Sequence, residues 1–136
     1  MEKWLGDGGM PLITQLGAAL TAYGEGWVEG TWEPTPECSN PLGTVQGGVQ
    51  SILLDAAMNF ACLAALERGD SVATLEMKIS NLRPAPSGQS LTVRGEAIRM
   101  GRRVGFAQAW LRNTEGLEIS HATGTFVVNR REPGPT

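Results

Sequence analysis

The stretch Asn40-Pro-Leu-Gly-Thr-Val-Gln46-Gly47-Gly48-Val49, running into Gln50-Ser-Ile-Leu-Leu-Asp55-Ala-Ala-Met-Asn59-Phe60, decides how this chain is read. Val49, Ile52, Leu53, Ala56, Phe60 and Leu63 recur at helical spacing. The flanking Leu54, Ala57, Ala61 and Ala64 are apolar as well, so a helix over about residues 48–66 is expected to be buried nearly all round. Glu67-Arg-Gly69-Asp70 ends it, with Gly69 expected near the C-cap. Two features stand out against this background. The glycine pair leaves bare backbone N–H groups at the helix start, where negative charge is favoured. A single carboxylate, Asp55, interrupts the apolar run and is a candidate base or nucleophile. Asp55 lies seven residues past Gly48, roughly 10 Å along the axis at 1.5 Å per residue. N–H groups near Gly47 and Gly48 can hold a developing oxyanion, and Asp55 of the same chain is then too distant to act on that carbonyl. If both serve one reaction they come from different copies of the chain, and a two-fold dimer gives two equal composite sites.

Around this helix the pattern changes to strands. Pro11 suits the start of a short helix over 10–17, followed by a strand pair, 18–23 and 27–33, joined at Gly24-Glu-Gly26. Pro34, Pro36 and Pro41 force a loop through 34–45. Four strand-like runs follow the helix, at 72–83, 90–99, 103–113 and 117–129. In the first, Ala73, Leu75, Met77 and Ile79 alternate with Thr74, Glu76, Lys78 and Ser80, a half-buried pattern. Short connections between successive strands imply an antiparallel meander. The economical packing is an α+β fold in which one antiparallel sheet wraps one long central helix.

The 136 residues suit one domain, with 1–9 and the tail from Arg130 expected to be loose. The net charge of −3 and the lack of an arginine stripe with interleaved aromatics give no support for nucleic-acid binding. No apolar run reaches signal-peptide or membrane-span length, so a cytoplasmic protein is expected. Cys38 and Cys62 lack metal spacing and read as free thiols, a disulfide being the alternative.

The string Asn40-x5-Gln46-Gly47-Gly48-x6-Asp55, followed by Val72-Ala-Thr74-Leu-Glu-Met-Lys-Ile and Leu82-Arg83-Pro84-Ala85, resembles the PaaI-type acyl-CoA thioesterases of the hotdog fold. The resemblance spans most of the chain, roughly residues 16–128. It implies a homodimer, pairing further into a tetramer, that hydrolyses acyl-CoA thioesters to acid and coenzyme A with no cofactor. Asp55 matches the catalytic carboxylate. Gly47 matches the glycine whose N–H polarises the thioester carbonyl, with Gly48 beside it. Asn40 matches a polar residue that orients water or thioester. Thr74 matches a hydroxyl near the partner chain's carboxylate, and Asn59 a second polar helper. The family pattern is usually His-Gly-Gly; here Gln46 replaces the histidine, and Gln hydrogen-bonds without titrating near neutral pH. Because coenzyme A carries phosphates, Arg83 and the Arg99, Arg102 and Arg103 group are candidate contacts, Arg102 or Arg103 above all.

Each residue also has a plainer reading. Asp55 can be a paired structural acid, Gly47-Gly48 a tight turn, Thr74 a β-branched strand residue, Asn40 a turn residue before Pro41, and the arginines solvated hairpin charges. His121 lies in a strand with no Gly-x-Ser-x-Gly, which argues against a Ser–His–Asp hydrolase and for a structural role. Trp4, Trp27, Trp32 and Trp110 read as packing or acyl-pocket residues. The rival functions are a non-catalytic acyl-CoA binder, made possible by Gln46, and a hotdog hydratase, which the distance of His121 from the helix motif disfavours.

Overall fold

The computed structural model describes residues 5–131. The elements are α1 (Pro11–Leu16), β1 (Ala18–Gly24), β2 (Trp27–Trp32), a 3-10 turn at Pro36–Cys38, α2 (Gly47–Ala64), β3 (Ser71–Asn81), β4 (Leu91–Met100), β5 (Val104–Asn113) and β6 (Glu118–Asn129). The six strands form one antiparallel sheet in the order β1-β2-β4-β5-β6-β3, and α2 packs against all of them. This is the hotdog arrangement. Of the residues expected to bury the helix, Leu53, Leu54, Ala56, Ala57, Phe60 and Ala61 are closed to solvent, joined by Met58 and Cys62, while Val49, Ile52, Leu63 and Ala64 are half-buried. The sheet contributes alternate inward residues, among them Leu91 and Val93 of β4, Ala107, Ala109 and Leu111 of β5, and Ala122 and Phe126 of β6. Gly95 permits the close approach. A Cβ there would lie 2.3 Å from the carbonyl oxygen of Ala57, so only glycine lets helix and sheet meet at that point.

The expected four-strand meander holds for β4-β5-β6 but not for β3. The segment after β3 is no hairpin turn. Pro84 and Pro86 cannot donate to a ladder. Ala85 is buried, and its carbonyl accepts the N–H of Val45 at 2.8 Å, pinning the segment to the loop before α2. The chain thus crosses under the helix start. β4 pairs with β2, and β3 lies at the far edge against β6 alone. The half-buried alternation expected for β3 holds at Met77 and Ile79 but fails before them. A bulge between Thr74 and Glu76 shifts the register and leaves Leu75 64% exposed. Thr74 then faces inward opposite Phe126, on the same side as Met77 and Ile79, which lie opposite Gly124 and Ala122.

The helix stops at Ala64, earlier than Gly69. The N–H groups of Ala65 and Leu66 take the carbonyls of Cys62 and Leu63, and Gly69, at φ +96°, turns the exit loop into β3. Two described residues within the segments expected to be loose make backbone contacts. Gly6 exchanges two backbone hydrogen bonds with Leu20, and Asp70 accepts the N–H of Arg131 at 2.7 Å. Residues 1–4, including Trp4, and 132–136 lie outside the described residues. Both cysteines are buried free thiols, and burial pushes the Cys62 thiol up to about 12.

Candidate active site

The start of α2 has no side-chain cap: Gln46 occupies the N-cap position without a side-chain hydrogen bond, and the first turn holds no acid. The Gln46 carbonyl accepts from Val49 and Gln50 at 3.0 and 3.1 Å. Among the described residues no acceptor meets the N–H of Gly47 or Gly48, so the helix presents two open donors at its positive end. Beside them lies a groove of about 300 Å³ lined by Val45, Gly47, Gln50, Asn81, Leu82, Arg83 and Pro84. Gln50, missed at the sequence level, is buried there. Its Nε2 donates to the Val45 carbonyl at 3.2 Å, fixing the residue just before Gln46.

Asp55 opens into a different cavity, of about 310 Å³, lined by Met10, Ser51, Ile52, Asp55, Ala56, Asn59 and Met77. Its surroundings are mostly apolar, but one carboxylate oxygen is firmly held. Oδ1 accepts the Thr74 hydroxyl at 2.7 Å and Nδ2 of Asn59 at 3.1 Å. Asn59 Nδ2 also reaches the Asp55 carbonyl at 2.8 Å and the Thr74 hydroxyl oxygen at 3.1 Å. Oδ2 has no partner among the described residues and faces the cavity as the free acceptor. Asn59 sits one helical turn past Asp55, which is why the two side chains meet. Thr74 reaches the carboxylate of its own chain, the β3 bulge turning it towards α2.

The two half-sites are separate within one chain. Gly47 and Asp55 share one unbroken helix, which holds them roughly 12 Å apart along the axis. Arg83 belongs with Gly47: it lines the same groove, and its Nη1 donates to the Glu118 carbonyl at 2.7 Å. Arg102 and Arg103 lie at the opposite end of β3, where Val128, paired with Val72, donates to the Arg103 carbonyl at 2.8 Å. Ten strand steps separate the ends of β3, roughly 33 Å. The arginines expected together at one site mouth are therefore not together in one chain.

Asn40 is engaged by its own loop. Its Oδ1 accepts from the N–H groups of Leu42 and Thr44 at 3.0 and 3.1 Å, and its Nδ2 donates to the Thr44 hydroxyl at 2.8 Å. This is the turn role. Among the described residues, the tryptophans line neither cavity: Trp32 is buried with its indole N–H on the Leu16 carbonyl, Trp27 stacks under Arg94, and Trp110 contacts Arg112 and His121 on the outer sheet face.

Comparison with known proteins agrees with this architecture. Residues 42–120 match the thioesterase superfamily. A crystal structure of a thioesterase from Haemophilus influenzae superposes with a TM-score of 0.80 at 30% identity, covering 91% of this chain and 87% of that one. The medium/long-chain acyl-CoA thioesterase YigI of Escherichia coli K12 is 26% identical over 88% of this chain and 86% of its own length. The PaaI protein of the Escherichia coli phenylacetic acid degradation operon shares the fold, with a TM-score of 0.81 at 22% identity over 91% and 86% of the two chains. With a lone carboxylate and an uncapped helix start carried on one hotdog helix, the chain belongs to the thioesterase superfamily as an enzyme of thioester hydrolysis that shares the PaaI fold.

Proposed function

We propose that the protein hydrolyses acyl-CoA thioesters in sites completed between two copies of the chain. The observation that carries this is the held carboxylate: Asp55 has one oxygen fixed by Thr74 and Asn59 and the other open to an apolar cavity. The thioester carbonyl sits at the Gly47 N–H, which stabilises the oxyanion as it forms. Asp55 of the second copy either takes a proton from the attacking water or attacks directly to give an anhydride. The carbon–sulfur bond then breaks and coenzyme A leaves as its thiolate. The acyl group fits the cavity of Met10, Ile52, Ala56 and Met77, whose methionines adapt to different chain shapes. Gly48 stands at the rim beside Gly47. Gln46 acts through its carbonyl as the helix cap, and its exposed amide remains available to the substrate. Asn40 holds the loop that delivers Gln46 and Gly47.

The edge of β3 supports the two-copy arrangement. Eleven residues long and paired only to β6, it is the kind of unpaired edge that proteins rarely leave open. Antiparallel pairing of two β3 edges about a two-fold axis sets the Asn81 end of one chain beside the Thr74 end of the other. That joins the Gly47 and Arg83 half of one copy to the Asp55 half of the second. It also carries Arg102 and Arg103 of the second copy towards the groove mouth, where the coenzyme A phosphates emerge.

The test is a panel of aryl-, medium- and long-chain acyl-CoA esters with thiol release as readout. Hydrolysis of at least one class is expected, and the preferred class names the acyl group. Thermal stabilisation by acyl-CoA with no thiol release would instead establish a binding protein.

A further inference from the structure

Five arginines whose guanidinium groups meet no partner among the described residues gather at one end of the molecule, in a chain of net charge −3. They are Arg68 in the exit loop of α2, Arg99, Arg102 and Arg103 around the β4–β5 turn, and Arg131 beyond β6. Like charges this close repel, so something must hold the three segments together. Arg130 and Asp70 stand between them. Arg130 Nη2 donates to the Gly101 carbonyl at 2.9 Å, Nε to the Arg102 carbonyl at 3.4 Å, and Nη1 to Asp70 at 3.5 Å. The Asp70 side chain is only 6% exposed. It also accepts the N–H groups of Arg131 at 2.7 Å and Glu67 at 3.2 Å. Those backbone donors, that of Arg131 first, keep its carboxyl below its ordinary range.

We propose that Arg130 and Asp70 are a positioning pair, whose clamp on the β4–β5 turn sets Arg102 and Arg103 to receive the phosphates of the coenzyme A nucleotide. Arg130 itself does not meet the phosphate. Its donors are turned onto two backbone carbonyls and a carboxylate, and the guanidinium fork suits such multiple contacts. The inference rests on the acyl-CoA reading above and adds to it a pair that acts on binding and not on the chemical step.

The experiment compares an acyl-CoA with the N-acetylcysteamine thioester of the same acyl group, which lacks the phosphates. Arg130→Gln is expected to raise KM for acyl-CoA on the order of ten-fold with kcat nearly unchanged, and to leave the truncated thioester unaffected. Asp70→Asn should give a smaller change of the same kind. Arg130→Lys should recover part of the loss, because it restores a charge and a donor. An unchanged KM for acyl-CoA, or equal losses on both thioesters, overturns the positioning role while leaving the hydrolase reading intact. A wild-type enzyme that treats both thioesters alike overturns the phosphate contact, and the clamp's purpose with it. A wild-type enzyme inert to both overturns the hydrolase reading itself.

Discussion

The two half-sites on α2 are built from opposite materials. The Gly47 half is built first on backbone: two N–H groups left open by an uncapped helix start, in a groove walled by side chains that include Arg83. The Asp55 half is side chain: a carboxylate oxygen gripped by a hydroxyl and an amide, in an apolar cavity. The difference teaches where each half is vulnerable. A backbone donor survives most substitutions and is lost only when the N–H itself is removed. A side-chain base is lost to any change of chemistry at one position.

The largest effect is expected at Asp55. Asp55→Ala should lower kcat by about a thousand-fold, in the range of a lost general base, and unchanged turnover would remove Asp55 from the reaction. At Gly47 the informative change is to proline. The position is the first of the helix, where proline is compatible with the backbone, and Gln46 at ψ 132° suits the residue before a proline. Gly47→Pro should keep the fold and cost about a hundred-fold or more in kcat, as expected for one oxyanion donor. Gly47→Ala, whose Cβ would make an ordinary 3.5 Å contact with Asn81, should stay close to wild type. If alanine proved as damaging as proline, the N–H would not be the working group.

Mixing the Asp55→Ala and Gly47→Pro chains tests whether the halves belong to different copies. A mixed dimer has one site with both groups intact, so an equal mixture should regain about a quarter of wild-type activity by random pairing. No recovery would place both groups in one chain. The smallest effect is expected at Thr74. Thr74→Val removes one of two hydrogen bonds to a charged group, worth about ten-fold in kcat, with little change in KM. A change confined to KM would make Thr74 a substrate contact instead of a support for Asp55.

Much of this was legible in the sequence because the helix is one continuous signal. Its apolar spacing, the glycine pair and the lone acid mark both candidate groups, and the rise per residue alone separates them. What stayed hidden depends on contacts distant in sequence. Nothing local at Thr74 or Leu75 announces the bulge, since strict alternation fits those residues equally well. The bulge is set by pairing with β6, more than forty residues later. The place of β3 at the sheet edge was hidden for a similar reason: a proline-rich connection reads as a turn until Ala85 is seen pinned beneath the helix start. Arg83 and Arg102 each read as a candidate phosphate contact, and only the strand order shows that they lie at opposite ends of one chain. Gln50 carried no signal, being one polar residue on a helix start where polar residues are common.

The buried cysteines have a consequence for an enzyme of this kind. Every turnover of a thioester releases a free thiol, so the protein works beside its own thiol product and the disulfides that thiol forms. Exchange with those disulfides needs an accessible sulfur in its thiolate form. Cys38 and Cys62 are 1% and 0% exposed, and the Cys62 thiol, pushed up to about 12, stays protonated at any physiological pH. The core is thereby insulated from the enzyme's own product, and swings in cellular redox state that cap exposed cysteines leave this fold unmarked.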